Sequence, residues 1–87
     1  MDRLLFHLGD GWALGYDREQ WIVLRGHNHK GAIKWNADSF VGGNKRLLNR
    51  IFREKGITLT PEAEKSLKRL PDTFLQWRDG LQEREAA

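Results

Sequence analysis

The chain has no cysteine among its 87 residues, one methionine, one tyrosine and two prolines. Without cysteine there is no disulfide, no thiolate metal site and no thiol nucleophile, so core packing alone must hold the fold. No apolar run approaches the roughly 18 residues of a membrane span. The opening Met1-Asp2-Arg3-Leu4-Leu5-Phe6 is interrupted by His7 before it reaches the length of a secretory apolar segment, and the expectation is a cytoplasmic protein. Catalytic signatures are missing too: there is no phosphate-cradling Gly-rich loop with its lysine, no Gly-x-Ser-x-Gly elbow and no spaced set of metal ligands. Asp and Glu are scattered over turns and helix ends, where they cap and solubilise rather than pair for acid–base work. These absences argue against an enzyme and against a bound cofactor or metal.

What is present is the balance of a folded chain, 39% hydrophobic and 31% charged, short enough that residues 1–87 are expected to form one domain. The formal net charge of +3 is modest, but it is unevenly placed. Residues 1–24 carry Arg3 and Arg18 against Asp2, Asp10, Asp17 and Glu19. Residues 25–55 reverse the sign, with eight cations (Arg25, Lys30, Lys34, Lys45, Arg46, Arg50, Arg53 and Lys55) against only Asp38 and Glu54. The remainder is nearly balanced. The middle third is therefore where an anionic partner would be met.

Period-two alternation places Leu4, Phe6 and Leu8 on one face of a strand over residues 3–8. Gly9-Asp10-Gly11 supplies a tight hairpin, and Trp12, Leu14 and Tyr16 continue on a second strand over 11–16, their large side chains directed at the core. After the Asp17-Arg18 turn, residues 20–25 are rich in aromatic and β-branched residues and predict a central third strand. Residues 26–31 read as a polar loop, and residues 32–35 as a short fourth strand. The period then becomes helical. Ser39 is a candidate N-cap, with Phe40, Leu47, Ile51 and Val41, Leu48, Phe52 on adjacent helical rows; Gly42 and Gly43 push the regular helix to residues 44–55. Gly56 stops it. Thr60-Pro61 opens a helix over 61–70 with Glu62 and Glu64 in its first turn, and Pro71 separates it from a last helix over 72–82, in which Phe74, Trp77 and Leu81 recur at helical spacing. The fold class expected is α+β, an N-terminal antiparallel meander of three to four strands packed against two or three C-terminal helices, with Phe52 and Trp77 in the same core.

Three groups of residues are candidates for function. Arg46, Arg50 and Arg53 recur at i, i+4 and i+7 with Lys45 beside them, a stripe opposite the apolar face of the first helix. Its guanidiniums suit phosphate or carboxylate, or else they pair with acids of the last two helices. Arg25, Lys30 and Lys34 add charge around the third and fourth strands. Trp21 and Trp35 are candidate stacking residues if Trp21 and Arg25 share an outer sheet face while Ile22 and Leu24 point inward. His27-Asn28-His29 has the i, i+2 spacing of a metal pair, but nothing brings a third ligand such as Asp38 or His7 beside it, so it reads as part of a solvated loop.

The pieces Gln20-Trp21-Ile22-Val23-Leu24, Lys30-Gly31, Trp35, Ser39-Phe40-Val41, Lys45, Arg53-Glu54-Lys55-Gly56 and Leu70-Pro71-Asp72-Thr73-Phe74 with Trp77 give a chain that resembles short uncharacterised proteins of bacterial prophages and other mobile elements. The resemblance spans residues 11–78. It implies a small accessory protein, one that handles nucleic acid for the element or that binds and blocks a host complex, as an anti-defence (anti-CRISPR-like) protein does. Together with the charge pattern, the expectation is a non-enzymatic protein that binds the nucleic-acid phosphate backbone through a basic helix, the alternative partner being an acidic host protein surface.

Overall fold

The computed structural model of the chain describes residues 3–86, with side chains described for residues 4–80, so the burial expected of Leu81 lies outside the described side chains. Four strands, β1 (Arg3–Gly9), β2 (Trp12–Tyr16), β3 (Trp21–His29) and β4 (Ala32–Val41), precede three helices, α1 (Lys45–Glu54), α2 (Pro61–Arg69) and α3 (Phe74–Ala86). The strands form one antiparallel sheet in the order β1-β2-β3-β4, and the helices pack on one of its faces, the α+β arrangement expected from the alternation of strands and the later helical period.

Local chemistry explains the connections. The β1–β2 and β3–β4 hairpins each turn on two residues with positive φ, Asp10 and Gly11 at 50° and 83°, Lys30 and Gly31 at 53° and 83°. Left-handed geometry at both central positions makes a type I′ turn, whose twist matches that of the paired strands. Between β2 and β3 the Asp17 carboxylate accepts from the backbone N–H groups of Glu19 (2.8 Å) and Gln20 (3.0 Å). The Glu19 N–H, opposed by partial burial and aided by Gln20, holds the Asp17 carboxyl below its ordinary value. The helices are capped by Asn44 and Thr60, which accept from Leu47 N and Ala63 N, and by a reciprocal box in which Thr73 Oγ1 accepts from Gln76 N while Gln76 Oε1 accepts from Thr73 N. That box starts α3 at Phe74, two residues later than expected from the sequence.

The core lies between sheet and helices. Leu8, Leu14, Trp21, Val23 and Val41 meet Leu48, Phe52, Ile57, Ala63, Leu67, Leu70 and Phe74, with Trp12, Tyr16 and Trp77 packed around them. Phe52 and Trp77 thus share one core, as expected. Trp21 is its centre, edge-on to Phe74 at 5.6 Å and 6.4 Å from Trp77.

Four local expectations are corrected. Residues 26–29 continue β3 rather than forming a loop, and β4 runs from Ala32 through Val41 instead of stopping at residue 35. Ser39 is consequently a strand residue and Asn44 caps α1, with Phe40 opposite Ile22 in the sheet rather than on a helical row. A register shift between Leu4 and Phe6 absorbs Leu5, so Leu4 pairs with Gly15 on the face opposite Phe6 and Leu8. Finally, Trp21 and Val23 point at the helices while Ile22 and Leu24 join Ala13 and Trp35 on the other face, the reverse of the expected orientation.

Candidate functional site

β2 pairs with β3 only as far as Trp12 opposite Arg25, whereas β3 and β4 stay paired to His29 opposite Ala32. The distal part of the β3–β4 hairpin therefore projects beyond the body of the sheet as a two-stranded ribbon, and residues 27–34 are all exposed. Directly opposed residues share a face. The pairs Arg25 with Asn36, His27 with Lys34 and His29 with Ala32 thus continue the side on which the helices lie, and Gly26 with Trp35 and Asn28 with Ile33 continue the open side. From Gln20 to Ala37 the chain contains no Asp or Glu, so the ribbon is cationic without an internal counter-charge.

The base of the ribbon is held from both sides. On the open side the Trp35 indole lies across Gly26, where an added Cβ would come within 3.0 Å of the ring. The same ring packs against Ala13, Ile22 and Leu24 and stands 5.4 Å from His7. On the helix side the Arg25 guanidinium lies over Trp12, 5.4 Å from its ring centroid. A bulge at Asp38, between the pairs Val23 with Ser39 and Leu24 with Ala37, turns its carboxylate toward Lys55 Nζ at 3.2 Å, just past the end of α1. That contact brings the C-terminal end of α1 to the root of the ribbon.

Of the candidate cations, Lys30 sits at the ribbon tip, Lys34 and Arg25 on its helix-side face, and Arg46, Arg50 and Arg53 on the exposed face of α1. Three of the seven are already engaged by the protein. Arg25 stacks on Trp12 and contributes its field to Asp38; Lys45 Nζ donates to the Leu70 carbonyl at the end of α2, 2.8 Å; Arg50 Nε pairs with Glu54 at 3.0 Å. Lys30, Lys34, Arg46 and Arg53 have no ion pair among the described residues. Lys45 is thus a helix-end bond rather than a member of a free stripe.

The aromatic candidates are placed differently from expectation. Trp21 is fully buried beneath the helices and is no stacking platform. Trp35 is half-buried and lies on the open face, separated by the sheet from Arg25 and Lys34, with its ring spent on Gly26 and the cluster around Leu24. That open face exposes Leu4, Ile33 and Phe40 at 40%, 65% and 56%. His7 also lies there, on the side opposite His27 and His29, and Asp38 is bonded to Lys55 and Ser39. Among the described residues no three His, Cys, Asp or Glu side chains gather to hold a metal ion. An open groove of about 400 Å³ between α1 and α2 is lined by Lys45, Asn49, Leu59, Glu64, Leu67 and Lys68, with acid and base mixed and Lys45 already bonded.

The sequence reading leaves His27 and His29 in a solvated loop rather than on a strand, because the ribbon has no buried face to impose a period on them. The signal that finds them is the acid-free run around Lys30-Gly31, in which Gly follows a residue flanked by extended chain.

Asp38 is the one acid at the ribbon root, and burial raises its pKa. The Lys55 and Ser39 hydrogen bonds and the charges of Lys55 and Arg25 outweigh burial and leave its carboxyl below the ordinary 3.8. A carboxyl lowered by folding adds stability above its unfolded pKa and loses it as pH falls through the folded value. Asp38→Asn is expected to cost less than about 1 kcal/mol near neutral pH and to flatten the fall of stability below about pH 4, read by urea denaturation at several pH values. An undiminished acid slope would mean the Asp38 pair contributes nothing to it.

Compared with protein-family models, curated proteins and solved structures, the chain matches none of them. No helix of the described residues is long and apolar enough to cross a membrane.

Proposed function

We propose that this protein is a non-catalytic nucleic-acid-binding module, with phosphate contacts made by the β3–β4 ribbon and the outer face of α1. The observation that carries the reading is the projecting ribbon itself, free of acidic residues from Gln20 to Ala37 and ending in exposed lysines without ion pairs among the described residues. Within residues 25–55, Arg25, Lys45, Arg50 and Lys55 are found with partners, and Lys30, Lys34, Arg46 and Arg53 are not. Arg presents a planar donor fork and Lys a mobile point charge, and phosphate oxygens accept from both. The emphasis moves from helix to ribbon because Lys45 and Arg50 are occupied by Leu70 and Glu54.

The four cations of the ribbon and α1 that are unpaired among the described residues set the expected electrostatics. Neutralising about four phosphates gives a slope near −3.6 of log affinity against log salt, or roughly 10²-fold weaker binding between 50 and 200 mM. Fluorescence anisotropy of labelled DNA and RNA, titrated at those two salt concentrations, measures it. Lys30→Glu with Lys34→Glu, and separately Arg46→Glu with Arg53→Glu, should each weaken binding while changing stability by no more than about 0.5 kcal/mol, because all four positions are exposed. A flat salt response, or no binding at low salt, would sink the reading and leave the same cations to an acidic protein surface, the other partner suggested by the charge pattern.

A further inference from the structure

The distribution of side chains between the two faces of the ribbon bears on which nucleic acid is bound. Single-strand binders interleave aromatic rings and cations along one groove so that stacked bases and their phosphates are held together. Here the two are separated along the ribbon, meeting only at its root, where Arg25 already lies over Trp12. The open face carries Leu4, Ile22, Leu24, Ile33, Trp35 and Phe40 in register with no Lys or Arg among them, while Arg25 and Lys34 are on the helix side with His27 and His29. Both tryptophans at the base of the ribbon are engaged, Trp35 across Gly26 and Trp12 beneath the Arg25 guanidinium.

The ribbon's dimensions favour a duplex. Gly26 still donates its N–H to Gly11 O, so residues 27–29 extend past the body, and at about 3.3 Å per residue they reach roughly 10 Å from it. B-DNA's major groove is about 12 Å wide and 8.5 Å deep and admits a two-stranded ribbon, so the tip can reach its floor before the body meets the backbone. The major groove of A-form RNA is too narrow to be read by side chains.

Lys30 is a second, independent observation. The first central position of a type I′ turn favours Asn, Asp or Gly, and this chain places Asp10 at the equivalent point of its other hairpin. At the ribbon tip a lysine holds φ at 53°, a left-handed conformation unfavourable for a long side chain, although it is exposed and packs nothing. A residue kept against its conformational preference at the point farthest from the core marks a contact made outside the protein.

We propose, building on the nucleic-acid reading, that the ribbon enters the major groove of B-form duplex DNA tip first, Lys30 and Lys34 meeting its anionic walls and His27 and His29 facing base edges. The test is anisotropy with four probes of one length and sequence: a DNA duplex, the RNA duplex, single-stranded DNA, and a DNA duplex whose pyrimidines carry bulky C5 groups that fill the major groove. The unmodified DNA duplex is expected to bind at least about tenfold more tightly than the other three. Lys30→Asn is expected to lower DNA-duplex affinity about fivefold while leaving the urea midpoint unchanged or raised, since the turn is relieved as the contact is lost. Equal binding of DNA and RNA duplexes, indifference to the C5 groups, or preference for the single strand would overturn the groove assignment and leave phosphate binding standing. Absence of binding to all four probes at low salt would overturn both.

Discussion

Phe74→Ala is expected to destabilise the protein by about 3–5 kcal/mol, about a quarter or more of the roughly 4–13 kcal/mol that holds a chain of this length together. Phe74 is the first residue of α3 and is fully buried. Its ring meets Trp21 edge-on at 5.6 Å and Trp77 at 5.7 Å, and its backbone N–H donates to Gly43 O at 2.9 Å, joining the starts of α1 and α3. Truncation would empty the space between the middle of the sheet and α3. Trp21 cannot slide into it, because its strand pairs with Tyr16 on one side and Val41 on the other. A cavity that cannot collapse forfeits both transfer energy and dispersion contacts. Urea denaturation followed by far-ultraviolet circular dichroism gives the number. Phe74→Leu, which keeps most of the volume, should cost under about 1.5 kcal/mol. Equal small losses for both variants would mean that α3 does not depend on Trp21 for its docking.

Gly9→Ala carries the second large effect, about 2–4 kcal/mol from backbone strain together with a weakened hydrogen bond. Gly9 holds φ at 127°, a region that L side chains rarely adopt, at the end of β1. A Cβ there would stand 2.8 Å from the Thr58 carbonyl oxygen and 3.2 Å from Thr60 Cγ2. Those atoms belong to the connection between α1 and α2, which is fastened to β1 by Thr60 N donating to Leu8 O at 2.9 Å. The connection can make room only by straining that bond. Gly11→Ala is the control: φ is 83° but nothing lies within 4 Å of the added methyl, so its cost should be confined to about 1–2 kcal/mol of left-handed strain. Similar losses for the two variants would show that close approach at Thr58 is not what requires Gly9.

Both variants act on the body of the fold and leave the ribbon's cations in place, so they separate folding from binding. Lys30, Lys34, Arg46 and Arg53 lie on exposed surface. Their replacement should move affinity without moving stability, and the Gly9 and Phe74 variants should do the reverse as long as the protein remains folded.

The sequence alone determined most of the elements whose burial is one-sided. Alternation at Trp12, Leu14 and Tyr16, the Asp10-Gly11 turn, the Thr60-Pro61 start and the helical rows through Phe52 and Trp77 each follow from a buried face that forces apolar residues into a period. It also placed Arg46, Arg50 and Arg53 on the solvent face of α1, because a helix fixes the angle between residues wherever it packs.

Tertiary structure decided the rest, in three places for three reasons. The far end of β3 was illegible as strand because residues 27–29 leave the sheet with both faces in water, and without a buried face no alternation is imposed; cross-strand pairing alone keeps them extended. Trp21 went beneath the helices because β3 is apolar on both faces, so its own pattern cannot choose a side. The choice was made by its neighbours Tyr16 and Val41 and by Phe74 and Trp77, more than fifty residues along the chain. Lys45 looks as free as Arg46 and Arg53 in the sequence, and only the arrival of Leu70 O distinguishes it, whereas the Arg50–Glu54 pair at i, i+4 is local to α1. Local periodicity records which residues are buried, whereas the partners of an exposed charge are set by elements that meet only when the chain has folded.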